Sequence, residues 1–127
     1  MLSSGLWLLG IESVAAAART PPLGWSTWET CGDSQCAHDV CSEAELKSVA
    51  TSMQRSGLQA AGWNYVNVDD CWGGPRNLTG DHRLTWNATR FPSGIPALTA
   101  WLHQRGFRFG LYTSAGDQTC HGGLPGS

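Results

Sequence analysis

Charge is scarce in this sequence. Asp, Glu, Lys and Arg make up 14% of 127 residues, against about a quarter in an ordinary soluble domain. The eight Lys and Arg are scattered with no run of three, so there is no basic stripe to neutralise phosphates and no polybasic segment to hold a membrane surface. Nucleic acid is not an expected partner. No stretch approaches the roughly 20 apolar residues that a spanning helix needs, so no membrane is expected either. Cys-x-x-Cys pairs are missing, and His38, His82, His103 and His121 fall off zinc-finger spacing, so no metal is expected. Phosphate loops are missing too: Gly73-Gly74 lacks the Lys of a P-loop and the spacing of a dinucleotide motif. No cofactor is called for.

What is present suits one small domain. Hydrophobic residues are 41% and the net charge is −2, which excludes a disordered chain, and the length excludes a multidomain machine. Residues 1–18 run from a short polar start through Leu6 to Ile11 into Val14-Ala15-Ala16-Ala17-Ala18. That pattern reads as a signal peptide, although Glu12 interrupts its apolar part and its start carries no Lys or Arg. Asn77-Leu78-Thr79 and Asn87-Ala88-Thr89 are acceptor sequons for N-glycosylation. Leader and sequons together predict export, with residues 19–127 forming the domain.

The five cysteines are Cys31, Cys36, Cys41, Cys71 and Cys120. In an exported chain disulfides are expected, and an odd count means a free thiol, an intermolecular bond or a partner outside this polypeptide. If Cys31 pairs with Cys71, the bond closes a loop of about 40 residues and stabilises by about 4 kcal/mol on chain-entropy grounds.

Pro21-Pro22 precedes the aromatic run Leu23 to Trp28, read as a first strand. Ser42-Glu43-Ala44-Glu45 is a capping-box pattern, and Leu46, Val49, Ala50 and Met53 follow at helical spacing up to a stop near Gly57. Trp63 to Val68 reads as a second strand ending at Asp69-Asp70. Residues 73–94 form a long connection. Ile95, Leu98, Thr99 and Leu102 then mark a second helix ending at Gly106, and Phe107 to Tyr112 a third strand. Strand, helix, strand, helix, strand is the order of a parallel α/β sheet. Three strands and two helices leave sheet edges bare, so the polypeptide is expected to be part of a longer one.

Asp69 and Asp70 follow a strand, where the ligand sites of parallel α/β folds gather, although Asp is also common in turns. As neighbours they suit bidentate holding of hydroxyls better than acid-base catalysis, because glycosidase carboxyl pairs flank the sugar, about 5 Å apart in retaining enzymes. Trp28, Trp72 and Tyr112 fall at or just past expected strand ends, and an aromatic face with a polar edge suits a sugar ring. Packing is the competing use of each one. Three aromatics beside two carboxylates favour a carbohydrate site.

These residues also sit in longer motifs. Arg19-Thr20-Pro21-Pro22-Leu23-Gly24-Trp25-Ser26-Thr27-Trp28, Tyr65 to Trp72, Arg90-Phe91-Pro92-Ser93-Gly94-Ile95, and Gly110-Leu111-Tyr112 to Gln118-Thr119-Cys120 closely resemble the melibiase-like glycoside hydrolases, retaining α-galactosidases and α-N-acetylgalactosaminidases. The resemblance runs from about Ala18 to Ser127. It implies the N-terminal portion, about three βα units, of a (β/α)8 TIM barrel that in the family precedes a β-sandwich. It implies removal of terminal α-linked galactose or N-acetylgalactosamine from glycolipids, glycoproteins or oligosaccharides by double displacement between two Asp. The nucleophile of the family lies in a Lys-x-Asp-x-Cys motif that this sequence lacks, so no catalytic residue is expected here and the chain alone should be inactive.

What carries over is part of a sugar pocket. Trp28 would be a wall, Asp69 and Asp70 acceptors from the 4- and 6-hydroxyls, Tyr112 a third-strand contact and Cys120 a neighbour of the site. The resemblance further implies disulfides Cys31 with Cys71 and Cys36 with Cys41, Cys120 pairing outside the chain, a homodimeric whole enzyme and a lysosomal or extracellular location. Ser114 stands where the family usually has Asp, and the spacing of Cys31, Cys36 and Cys41 differs from that of the animal enzymes. The rival reading is a secreted galactose-binding or regulatory polypeptide without chemistry.

Overall fold

In the computed structural model the described residues are 21–31, 41–75 and 83–120, without the side chains of Glu29 and Cys31. The leader, Cys36 and the Asn77 sequon lie outside them.

Gly24–Ser26 forms strand β1 and runs directly into a short helix, α1, Thr27–Cys31. The sequence reading carried the strand through Trp28, and the reason for its early end is tertiary. Thr27 is fully buried, and its Oγ1 accepts the Asp69 amide at 2.8 Å, which turns the chain as it leaves the sheet. Helix α2 spans Glu43–Arg55 with Ser42 as N-cap, the hydroxyl accepting the Glu45 amide at 3.2 Å. Its buried stripe is Leu46, Ala50 and Met53, the expected spacing.

Strand β2, Tyr65–Val68, leads into a single 3-10 turn, Asp70–Trp72. Helix α3, Ile95–His103, starts after Gly94 with Pro96 in its first turn, and strand β3 is Arg108–Leu111. All three strands are parallel in the order β1-β2-β3, with Gly24 beside Tyr65 and Tyr65 beside Arg108.

Period-two alternation splits the sheet into two unlike faces. Val66 and Val68 are buried with Leu46, Ala50, Met53, Leu98, Leu102, Phe91 and Phe107 in one core under the helices. The opposite face carries Gly24, Ser26, Tyr65, Asn67, Arg108 and Gly110, small or polar throughout. There Arg108 Nη1 donates to the Tyr65 hydroxyl at 2.6 Å. Gly24 is required by close approach, since a Cβ would collide with the Tyr65 backbone. A parallel layer with helices on one face is the unit from which (β/α)8 barrels are built. No helix among the described residues is long and apolar enough to cross a membrane.

The disulfide pattern corrects the expectation. Cys41 is bonded to Cys71, with Cα atoms 6.2 Å apart. Each sulfur forms one such bond, so the implied pairs Cys31 with Cys71 and Cys36 with Cys41 are both excluded. The physical reason is packing: Cys41 leads into α2 beside the turn that ends β2, where it is buried in the core and partly buried Cys71 packs against it.

Candidate functional site

The polar end of the sheet is where the strands deliver their C-termini. Leaving β2, Asp69 turns its carboxylate back so that Oδ1 accepts the Asp70 amide at 2.7 Å, which starts the 3-10 turn. That turn buries Asp70 and presents Trp72, whose indole Nε1 donates to the Tyr112 carbonyl at 2.7 Å. The ends of β2 and β3 are thus tied together by the Trp72 side chain and the Tyr112 backbone. Tyr112 Oη in turn donates to Cys120 Sγ at 3.3 Å. That bond, burial, and neighbouring Cys120 and Asp70 raise the phenol above its ordinary value, so it stays protonated and able to donate.

A cleft of about 240 Å³, counting its open mouth, lies here. Asp70, Trp72, Tyr112, Thr113 and Thr119 line it together with Gly73, Gly74, Leu84 and Thr85. Backbone bonds from Gly74 to the Thr85 carbonyl and from Asn87 to the Trp72 carbonyl, each 2.9 Å, tie residues 72–74 to residues 85–87. Gly74 is needed for this contact, because a Cβ would lie 2.7 Å from the Trp86 carbonyl oxygen. Hydroxyls, a carboxylate and aromatic faces in one cleft are chemistry suited to a polyhydroxylated ring.

Not every expected residue lines that cleft. Asp70 and Tyr112 do, and Cys120 touches it through the Tyr112 hydroxyl. Asp69 stands at its edge, held by Thr27 and by its own bond to Asp70. Trp28 projects from α1 at 59% exposure, one residue beyond Thr27, and makes no part of the cleft wall. Ser114, at the position where the resemblance expects Asp, accepts the Gly116 amide at 2.9 Å and shapes the loop. Sequence reasoning missed Thr27 and Thr119. Thr119 Oγ1 is a buried side-chain polar atom without a hydrogen-bond partner among the described residues, and it faces the cleft. Among the described residues no group of three or more His, Cys, Asp or Glu could hold a metal ion.

The family model for alpha galactosidase A, Melibiase_2, matches residues 20–127. The chain belongs to the alpha galactosidase A family. Its relatives include the alpha-galactosidase A of Cellvibrio japonicus, 41% identical over 110 residues, which are 87% of this chain and 25% of that protein. The alpha-galactosidase of Cyamopsis tetragonoloba is 40% identical over 109 residues, 86% of this chain and 25% of its own. Among solved structures, alpha-galactosidase I from Mortierella vinacea matches with a TM-score of 0.72 at 36% identity, covering 85% of this chain and 25% of that one. The Saccharomyces cerevisiae enzyme, solved with raffinose, matches with a TM-score of 0.73 at 37% identity over 84% and 22% of the two chains. The chain therefore spans about a quarter of the length of these members of the alpha galactosidase A family.

Proposed function

We propose that this chain supplies three strands of a (β/α)8 α-galactosidase barrel and one wall of the pocket that grips a terminal α-linked galactose or N-acetylgalactosamine. The observation that carries this is the convergence of Asp70, Trp72 and Tyr112 on one cleft at the C-terminal ends of β2 and β3, the end at which barrel enzymes place their sites. The raffinose seen with the yeast relative supports a galactoside as ligand. In this reading Asp69 and Asp70 accept hydrogen bonds from the 4- and 6-hydroxyls, Trp28 on α1 is an outer wall beyond the cleft, and Tyr112 is the third-strand contact. Cys120 stands beside the sugar.

Double displacement needs two carboxyl groups about 5 Å apart on opposite sides of the anomeric carbon. Asp69 and Asp70 are neighbours on the one turn that leaves β2 and do not flank a sugar in that way, so neither is placed in that role. The nucleophile and acid/base belong to other staves, and the chain alone binds and orients without cleaving. The leader-like residues 1–18 support delivery to the secretory pathway, lysosomal or extracellular, and the whole enzyme is read as a homodimer.

The test is a chimera in which residues 19–127 replace the matching segment of the Mortierella vinacea enzyme. Hydrolysis of a chromogenic α-galactoside is expected from the chimera and none from the 127-residue chain. Asp70→Asn in the chimera should lower kcat/KM at least 100-fold. Turnover by the chain alone, or a chimera indifferent to Asp70→Asn, overturns the proposal.

A further inference from the structure

No residue of the second sequon lines the cleft, and the surroundings of the Asn87 side chain indicate another use. Residues 87–91 form one helical turn in which the Phe91 amide donates to the Asn87 carbonyl at 2.9 Å. The Asn87 side chain caps it, Oδ1 accepting the amides of Thr89 at 3.0 Å and Arg90 at 3.2 Å. This places Arg90, whose Nη1 donates to the Cys71 carbonyl at 2.8 Å and whose own carbonyl accepts the Glu43 amide at 2.9 Å. Oδ1 is therefore occupied. Nδ2 is not: no hydrogen bond among the described residues engages it, and it is not among their buried unpartnered atoms, so it opens to solvent. Thr89, the sequon's third residue, is exposed as well.

We infer that Asn87 carries an N-linked oligosaccharide on Nδ2 while its Oδ1 continues to cap the turn. The donor is a lipid diphosphate-linked oligosaccharide. The Nδ2–C1 bond forms as the C1–O bond to the diphosphate breaks, Nδ2 gives up one of its two protons, and the lipid diphosphate leaves with no change of oxidation state. The product is a secondary amide that keeps both Oδ1 lone pairs, so both accepted bonds persist. Because the Asn87 amide is bonded to the Trp72 carbonyl, the glycan stands on the rim beside a cleft-lining aromatic.

The assignment rests on the export proposed above, and the experiment separates the two. The full chain is expressed in a eukaryotic secretory host, and intact mass is read before and after peptide N-glycosidase, together with the N-terminal sequence. Asn87→Asp keeps an acceptor at the cap and removes the glycosylatable amide, and Thr89→Ala removes the sequon while leaving Asn87 in place. Each is expected to lose one glycan's mass relative to the parent chain, whatever the Asn77 sequon carries. A chain processed after its leader whose mass neither substitution changes overturns the glycan assignment alone. A chain that retains Met1 and carries no glycan overturns export and the assignment together.

Discussion

Asp69 depends on a residue 42 positions away. Its amide donates to the hydroxyl of fully buried Thr27, so one side chain fixes both where β1 ends and where the Asp69-Asp70 pair begins. Thr27→Val keeps the volume and leaves that amide without its partner, a loss of about 1–3 kcal/mol. Urea unfolding should show that drop, while Thr27→Ser, which keeps the acceptor, should cost about 1 kcal/mol for the methyl group. A Thr27→Val chain as stable as the parent would remove Thr27 from this role. Gly94 gives a second case, combining φ of 83° with the Trp86 ring, whose Cζ2 would lie 2.8 Å from an added Cβ. Gly94→Ala is therefore expected to destabilise by about 1–3 kcal/mol in the same assay. Asp70, Trp72 and Tyr112 were legible in the sequence because strand ends collect ligand-facing groups. Thr27 was not, since nothing in Ser26-Thr27-Trp28 announces a partner on β2.

Elements were readable where local signals govern them and misread where distant contacts do. Helix α2 matches its expectation because Ser42 and the Leu46, Ala50, Met53 stripe are local features. Helix α1 was missed because Thr27–Cys31 is too short to have helical periodicity. The disulfide was misassigned because its pairing was carried over from the family resemblance and sequence alone does not determine connectivity; the approach of α2 to the end of β2 joins Cys41 to Cys71. The observed bond closes a separation of 30 residues, worth about 3.5 kcal/mol on chain-entropy grounds. Replacing Cys41 and Cys71 by Ala together should lower stability by that order, and non-reducing peptide mapping should link the two. Glu43 joins the same elements. Its carboxylate accepts Lys47 Nζ at 2.5 Å and the Ser93 amide at 2.9 Å. Burial pushes its carboxyl up, but these hydrogen bonds outweigh it and leave the group below the ordinary glutamate value. A depressed folded value means stability present above the unfolded value and lost as pH falls through the folded one. Melting temperature should therefore fall with acidification, and Glu43→Gln should flatten part of that fall.

At the scale of the molecule, β-α-β-α-β order was legible from alternating periodicities, and the consequence lies at the sheet's edges. Among the described residues β1 and β3 each pair with β2 alone, so each offers a row of unpaired amides and carbonyls to another strand. The face away from the helices adds no large apolar surface, being Gly24, Ser26, Asn67 and Gly110 around the Tyr65–Arg108 pair. Self-association of the isolated chain should therefore run through strand edges. Arg108 donates to the Asn64 carbonyl and Tyr112 to the Val68 carbonyl, and alternate residues of a parallel strand address the same neighbour. The Leu111 amide consequently faces the open side of β3. Leu111→Pro removes that donor without touching the β2–β3 ladder. Light scattering of the 127-residue chain should show less association in this variant than in the parent at equal concentration. In the Mortierella chimera the same substitution should have the opposite value, lowering the yield of active enzyme, because in a closed barrel β3 needs a partner on that side. A substitution neutral in both settings would mean that the outer edge of β3 is not where this chain meets the rest of a barrel.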